Sequence, residues 1–178
     1  EERIEKAGLS HLVKLKMQDY RDETGQYDGI ASIEMFEAVG EKYWPVYFEK
    51  VRACLKPKAR ASLQIITLEE ERFKIYRKGV DFIQKYIFPG GMLPSKTALR
   101  AEIARAGLTE TKVLEFGESY SQTLRRWHER FNGAWGEIAP MGFDERFRRM
   151  WNFYLTSCAA SFHGGNCDVV QITIEKLD

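Results

Sequence analysis

The feature that most constrains the fold is an alternation of strand and helix signals between residues 30 and 67. Ile30 to Ile33 is a short apolar run, typical of a buried parallel strand. Strand character returns from Ala61 to Thr67. Between these runs, apolar residues at helical spacing predict one buried helix face, which consists of Trp44, Tyr47, Phe48, Val51 and Leu55. Strand, helix and strand in this order indicate an α/β sheet with a right-handed crossover.

Further elements extend this pattern in both directions. Val13 to Met17 alternates apolar and polar residues and predicts a strand. Ser95 is a suitable cap for a helix that ends at Gly107. The remaining predicted elements are a strand from Thr111 to Phe116, one amphipathic helix with Leu124, Trp127, Phe131 and Trp135, a second with Phe147, Trp151, Tyr154, Leu155 and Cys158, and a strand from Asp168 to Ile174. We expect one domain over residues 1–178, with a helical insertion at about residues 120–163.

Composition excludes several classes of protein. The chain has 27 basic and 26 acidic side chains, and this balance argues against nucleic-acid binding. With 44% hydrophobic residues it is not disordered, and no apolar run is long enough to cross a bilayer. The spacings of the cysteines and histidines predict reduced thiols and no metal site. No Gly-x-Gly sequence occurs, so no dinucleotide or phosphate loop is predicted.

The first residues have the composition of a helix end. Glu1 to Ala7 favours a helix, and Gly8 directly after it is a typical helix stop. Such a segment makes barely two turns and is too short to nucleate alone. We therefore expect these residues to be part of a larger protein; a short, frayed terminal helix is the alternative.

Three segments have residue types suited to a functional site. Glu34 and Glu37 follow the predicted strand Ile30–Ile33, and α/β sheets bind ligands at the carboxyl ends of strands. The alternative is a solvated acidic loop. The apolar loop from Tyr86 to Ser95 is either a pocket wall or ordinary packing. Tyr120 either offers its hydroxyl to a buried site or belongs to the core.

Basic residues accompany the tryptophans of the two long predicted helices. They are Arg125, Arg126, Arg130, Arg146, Arg148 and Arg149. One interpretation is a solvated helix face balanced by nearby glutamates. The other is a surface that meets lipid phosphates, with aromatic side chains at the interface.

Four segments of the sequence form distinctive motifs, which are Ser32–Gly40, Tyr86–Ser95, Phe116–Trp127 and Arg148–Leu155. Together they resemble the motifs of cyclopropane-fatty-acyl-phospholipid synthases and their mycolic acid cyclopropane synthase relatives. The resemblance extends over essentially the whole sequence but covers only the C-terminal part of the family. It implies a partial class I S-adenosylmethionine-dependent methyltransferase fold. In residues 1–178 the Rossmann-like sheet is expected to lack the first strands of that fold and to have added helices before the last strand.

The resemblance also implies an activity. Family members use S-adenosylmethionine to convert the cis double bond of a phospholipid acyl group into a cyclopropane ring. Methyl transfer leaves a carbocation, from which a bound bicarbonate removes a proton. Two alternatives stay open: a methyltransferase that methylates an acyl carbon and makes branched lipids, and a non-catalytic truncated fragment.

The resemblance assigns roles to individual residues. Glu37 and Tyr120 are the implied catalytic residues. The implied bicarbonate site consists of Glu37, Gln64, Ile66 and Tyr120. The implied cofactor site consists of Gln18, Asp19, Ser32 and Ile33. Tyr86 and Phe88 are expected to line the acyl-chain pocket.

The sequence departs from the family pattern at three places. Gln64 and Ala38 stand where many members have histidine, and the glycine-rich cofactor loop with its neighbouring cysteine is not found in residues 1–178. We therefore expect these residues alone to bind the cofactor poorly and to be inactive. An apolar sheet edge at Ile30–Ile33 predicts pairing with a second copy in a homodimer, including one with exchanged elements. The implied location is the cytoplasm, in peripheral contact with the inner membrane face.

Overall fold

A mixed four-stranded sheet forms the centre of the molecule, whose computed structural model describes residues 1–178. The strands are β1 (Tyr27–Ile33), β2 (Leu55–Leu68), β3 (Thr109–Glu115) and β4 (Cys167–Glu175). Their spatial order is β1-β2-β4-β3, with β1 parallel to β2 and β4 antiparallel to both its neighbours. The parallel pair β1 and β2, joined through a helix, confirms the predicted crossover unit.

Helices connect the strands and cover parts of both sheet faces. They are α1 (Glu2–Lys6), α2 (Trp44–Cys54), α3 (Glu70–Tyr76), α4 (Phe82–Tyr86), α5 (Lys96–Arg105), α6 (Gly117–Gly133), α7 (Trp135–Ile138) and α8 (Glu145–His163). The predicted cap is present on α5, where the Ser95 side chain accepts a hydrogen bond from the backbone of Ala98. Short 3-10 turns occur at Tyr20–Asp22, Phe36–Ala38, Glu41–Tyr43 and Ala139–Met141.

The main core lies between α2, α5 and one face of β2 and β4. Ala61, Leu63 and Ile65 alternate along β2 with more exposed residues and are almost fully buried. Phe36 is also fully buried, and its ring stacks on that of Trp44 with centroids 5.2 Å apart. Burial of such large apolar side chains supplies most of the favourable free energy of folding. This packing fixes the segment that leaves β1.

A second, smaller core lies on the other face of the sheet. Helices α6 and α8 pack together beside β4 and bury Leu124, Leu155, Ala159, Phe162 and Val169. Ile66 of β2 packs against this cluster. Because α6 to α8 stand between β3 and β4, the structure confirms the expected helices before the last strand.

The structure corrects three sequence predictions. Trp135, expected on the helix of Leu124, begins α7 instead. Val13 to Met17 forms no strand, and its side chains are largely exposed. A strand needs a neighbour for its hydrogen bonds, and this segment pairs with none of the four strands. Leu55, assigned to the buried face of a helix, begins β2 instead, so β2 is longer than the predicted Ala61–Thr67. Pro57 favours extended backbone before it and thus an early end of α2.

Strand β1 lies at the edge of the sheet. Its inner neighbour is β2, while the opposite edge pairs with no other strand of the molecule. Ile33, at the end of this strand, is 66% exposed. No helix combines the length and the apolar character that crossing a membrane requires.

Candidate active site

The carboxyl end of β1 brings two glutamates to one edge of the sheet. The last residue pair between β1 and β2 is Ile33 with Gln64, and the backbone then turns at Glu34, whose φ is 50°. The following 3-10 turn is anchored by the buried ring of Phe36 and presents Glu37. Glu34 and Glu37 therefore reach the end of β2 from two directions.

Glu37 is held by the backbone of two neighbouring segments. Its Oε1 accepts a hydrogen bond of 2.6 Å from the N–H of Ile66, two residues beyond Gln64 on β2. Its carbonyl accepts a 2.8 Å bond from the N–H of Met92, in the loop that follows α4. The second carboxyl oxygen is buried and has no partner. Burial raises the pKa of Glu37 to about 7, despite the hydrogen bond from Ile66.

Glu34 accepts two hydrogen bonds through a single oxygen. Tyr120 of α6 donates its hydroxyl to Oε1, and Gln64 donates its side-chain amide to the same atom at 2.8 Å. The Gln64 amide also donates to the Tyr120 oxygen at 2.6 Å. Gln171 of β4 donates to the amide oxygen of Gln64 at 2.9 Å and so fixes its orientation. Burial and the Glu34 carboxylate both raise the pKa of Tyr120, which remains a donor.

We call Glu34, Glu37, Gln64 and Tyr120 the carboxylate cluster. The structure also brings together the four residues predicted for anion binding, which are Glu37, Gln64, Ile66 and Tyr120. Gln64 and Ile66 are alternate residues of β2; Gln64 contacts Tyr120, and Ile66 contacts Glu37. The structure adds Glu34, to which the resemblance assigned no role, and Gln171, which was not predicted at all. Glu34 was recognisable only as one of two acidic residues after a strand. The only feature of the sequence that could have indicated Gln171 as a site residue is its polar side chain within an otherwise apolar strand.

The structure places the predicted cofactor residues at or near the same end of β1. Ser32 accepts a 2.7 Å hydrogen bond from the buried hydroxyl of Tyr47 on α2. Tyr47 in turn packs edge-on against Tyr20, with ring centroids 5.8 Å apart. Gln18 and Asp19 directly precede Tyr20 and are exposed. The Tyr20–Tyr47 contact thus connects the Gln18–Asp19 segment with Ser32 and its neighbour Ile33.

The predicted acyl-chain residues lie on the surface between α4 and α8. Tyr86 is 49% and Phe88 is 56% exposed. The ring of Phe88 meets Tyr154 of α8 edge-on, with centroids 6.2 Å apart, and Phe82 links Tyr86 to Phe153 of the same helix. These rings form an aromatic surface that reaches from the loop after α4 to the side of α8.

Solved structures define the class of protein. The molecule superposes on mycolic acid cyclopropane synthase CmaA1, complexed with SAH and CTAB, with a TM-score of 0.81 and 27% identity, covering 90% of this protein and 59% of that one. The cyclopropane synthase MmaA2 from Mycobacterium tuberculosis gives a TM-score of 0.82 at 24% identity, covering 98% of this protein and 66% of that one. The fold is therefore that of S-adenosylmethionine-dependent methyltransferases, and the predicted Rossmann-like α/β class is confirmed.

Sequence comparison then identifies the family. Residues 1–172 match the model of the mycolic acid cyclopropane synthetase family. Tuberculostearic acid methyltransferase UfaA1 of Mycobacterium tuberculosis is 41% identical over 97% of the sequence, and cyclopropane-fatty-acyl-phospholipid synthase of Escherichia coli K12 is 37% identical over 92%. The chain belongs to the mycolic acid cyclopropane synthetase family, as the motifs predicted. It spans about 41% of the length of these two relatives.

Proposed function

We propose that the protein uses S-adenosylmethionine to add a carbon to the cis double bond of a phospholipid acyl group, forming a cyclopropane fatty acid. The observation that carries this proposal is the carboxylate cluster at the carboxyl end of β1, where the Glu37 carbonyl is hydrogen-bonded to Met92 of the loop that carries the aromatic Phe88. Residues 1–178 would contribute the part of the site that stabilises positive charge. By themselves, without a glycine-rich cofactor loop, they are expected to be inactive.

The chemistry of the reaction requires a cluster of this kind. An alkene is a weak nucleophile, and its methylation leaves a short-lived carbocation. Fixed negative charge stabilises such a cation. Glu34 and Glu37 supply carboxyl groups, and Tyr120 and Gln64 hold the first of them in position. Aromatic faces such as those of Phe88 and Tyr154 suit an acyl group and attract a cation.

The residues near the start of the sequence fit an adenosyl cofactor. The exposed Asp19 carboxylate suits hydroxyl or amine donors, and its hydrogen bonds with Arg21 lower its pKa to about 2. Ile33 offers exposed apolar surface beside the Ser32 hydroxyl. We therefore propose Gln18, Asp19, Ser32 and Ile33 as cofactor-binding residues. When bound, S-adenosylmethionine supplies an electrophilic methyl group.

Bicarbonate, in contrast, does not fit the residues that the resemblance assigns to it. The N–H of Ile66 is bound by Glu37, and the amide of Gln64 and the hydroxyl of Tyr120 are bound by Glu34. Every donor of the expected anion site is therefore already taken by a carboxylate of the protein. A further anion would also meet the charge of Glu34.

A second candidate function is supported by sequence identity. The relative called tuberculostearic acid methyltransferase is 41% identical to this protein, compared with 37% for the cyclopropane synthase. A methyltransferase that methylates an acyl carbon would use the same first step and release the proton from a different carbon. It would give a branched acyl group instead of a ring.

The membrane is proposed as the source of substrate. Met141 and Phe143, in the turn before α8, are 73% and 42% exposed, and Arg146 and Arg149 follow on the helix. An exposed apolar tip flanked by basic side chains suits contact with anionic lipid headgroups. We propose peripheral contact with the inner membrane face through this turn.

The test uses the protein encoded by the full reading frame. Vesicles of phosphatidylethanolamine and phosphatidylglycerol with cis-monounsaturated acyl groups are incubated with methyl-labelled S-adenosylmethionine, and the fatty acids are analysed by mass spectrometry. We expect a labelled product that has gained one CH2 unit and resists mild hydrogenation. A labelled product that takes up hydrogen indicates the branched alternative, and the absence of any labelled lipid contradicts both enzyme functions.

A further inference from the structure

The position of Glu34 indicates that the base is a carboxylate of the protein and not the bicarbonate that the resemblance implies. Its φ of 50° lies in the left-handed region, which residues with side chains adopt rarely. Residues held in such conformations cluster at functional sites. In this protein the turn directs the carboxylate across the end of β2, to the two donors that the resemblance reserves for an external anion.

The hydrogen bonds fix the orientation of this carboxylate. Oε1 accepts from Tyr120 and Gln64, and the Gln64 amide is itself anchored by Gln171. The hydrogen bond from Gln171 occupies the amide oxygen of Gln64 on the β4 side, so the amide nitrogen is the end that faces Glu34. No protein donor bonds Oε2 of Glu34, so this oxygen is free to accept a proton.

We propose, as a deepening of the proposed function, that Glu34 replaces the external anion and is itself the base that removes the proton after methyl transfer. The π electrons of the alkene form the new carbon–carbon bond, and the carbon–sulfur bond pair stays with the departing thioether. Oε2 of Glu34 then takes a proton from the carbocation. If that proton comes from the added methyl group, the released C–H pair closes the ring; if it comes from the acyl backbone, the pair forms a double bond.

Tyr120 and Gln64 act as positioning residues for this base. Both donate to Oε1, so the oxygen that receives the proton is the opposite one. After the step Glu34 is a neutral carboxylic acid, and it returns the proton to water when the product leaves. The reaction therefore requires no bicarbonate.

The experiment measures lipid methylation by the full-length protein in carbon-dioxide-free buffer, with and without added bicarbonate. The substrate is the phosphatidylethanolamine and phosphatidylglycerol vesicles described above. The wild-type rate should be the same in both buffers. Glu34→Gln should lower it in both, by about 10²-fold or more, because its amide cannot accept the proton.

Glu34→Gly is the decisive variant, because glycine adopts a φ of 50° readily and should preserve the fold. It should be slow without bicarbonate and recover partly when bicarbonate is added, since the ion can then reach Tyr120 and Gln64. A purely structural role of Glu34 would give no such recovery. Glu118→Gln, on the same helix as Tyr120 and paired with His163, is the control and should keep the wild-type rate.

The outcomes separate this inference from the proposed function. Wild-type activity that disappears without bicarbonate and returns with it would overturn the role of Glu34 as the base but would leave the proposed function standing. Glu34→Gly with an unchanged rate would do the same. Wild-type protein that labels no lipid in either buffer would overturn the proposed function and this inference together.

Discussion

At the scale of single residues, burial governs the charge of Glu37. One of its oxygens has a backbone donor and the other has none, so water is lost without full replacement. The folded protein therefore holds a proton on Glu37 at a pH where an unfolded polypeptide would have released it. Because its pKa is raised to about 7, the charge that Glu37 brings to the site depends on pH near neutrality.

Glu37→Gln tests both consequences. The pKa of Glu37 is raised from 4.5 to about 7, so the folded state binds more protons within that interval and the stability of the wild type falls as pH rises through it. The glutamine variant lacks this titration, and its melting temperature should depend less on pH over the same interval. Turnover of the variant should drop by about 10²-fold, because an amide brings no negative charge to the carbocation. Equal pH profiles of melting temperature would show that Glu37 is not buried as described.

Ser32 and Tyr47 provide a second test at this scale. The hydroxyl of Tyr47 is buried and donates to Ser32 at 2.7 Å, and Ser32→Ala leaves that donor without a partner. We expect a loss of about 1–3 kcal/mol in the free energy of unfolding. Adding Tyr47→Phe removes the stranded hydroxyl, so the double variant should lose less than the two single losses combined. Denaturant unfolding of the four proteins measures this coupling, and additive losses would refute it.

The sequence predicted those members of the cluster to which the family resemblance assigns a role. They are Glu37, Gln64 and Tyr120, and the contacts of Glu37 and Tyr120 with β2 agree with their expected location. The contacts of Glu34 were not predictable, because the direction of a side chain after a strand depends on the local φ angle. That angle is left-handed at Glu34, which no periodicity in the sequence indicates.

At the scale of elements, one glycine sets the distance between α6 and β4. The N–H of Gly117 donates to Oδ1 of Asp168 at 2.9 Å, and a Cβ on Gly117 would lie 2.8 Å from that oxygen and 3.0 Å from the Asp168 Cα. The start of α6 therefore packs as closely on β4 as a glycine permits. Tyr120 stands one turn further along this helix.

Gly117→Ala should push the start of α6 away from β4 and weaken the contact of Tyr120 with Glu34. We expect a loss of about 1–3 kcal/mol in stability, as is typical of overpacking, together with lower activity. Gly133→Ala is the matched control, because it lies at the other end of the same helix and its Cβ would meet nothing within 4 Å. Thermal unfolding and the lipid assay should separate the two variants; similar values for both would contradict the close packing at Gly117.

Helix α2 and the segment Val13–Met17 show why helical spacing predicted an element correctly whereas strand alternation did not. The helical spacing of apolar residues from Trp44 to Val51 predicts a helix with one buried face, and packing that face against a sheet requires no particular register. The alternation in Val13–Met17 predicts a strand equally well by pattern. A strand also requires a partner in register, which no local sequence specifies, and the segment has none within the molecule.

At the scale of the whole molecule, exposed apolar side chains occur at one sheet edge and in the segment before it. Ile33 is 66% exposed at the end of β1, whose outer edge is unpaired, and Leu12, Leu15 and Met17 are exposed as well. An edge strand with free backbone donors and acceptors and apolar side chains is a template for pairing with another polypeptide. Residues 1–178 expressed alone should therefore associate.

Sedimentation velocity over a range of concentrations should show a rising average mass for residues 1–178. Ile33→Lys places a charge on the unpaired edge and should shift the protein towards the monomer, because a lysine opposes strand pairing there. Ile75→Lys is the matched control, since Ile75 is 75% exposed on α3 and lies outside the sheet. If the two lysine variants associate equally, general hydrophobicity drives the contact; if the unmodified protein stays monomeric throughout, the edge of β1 is not a pairing surface.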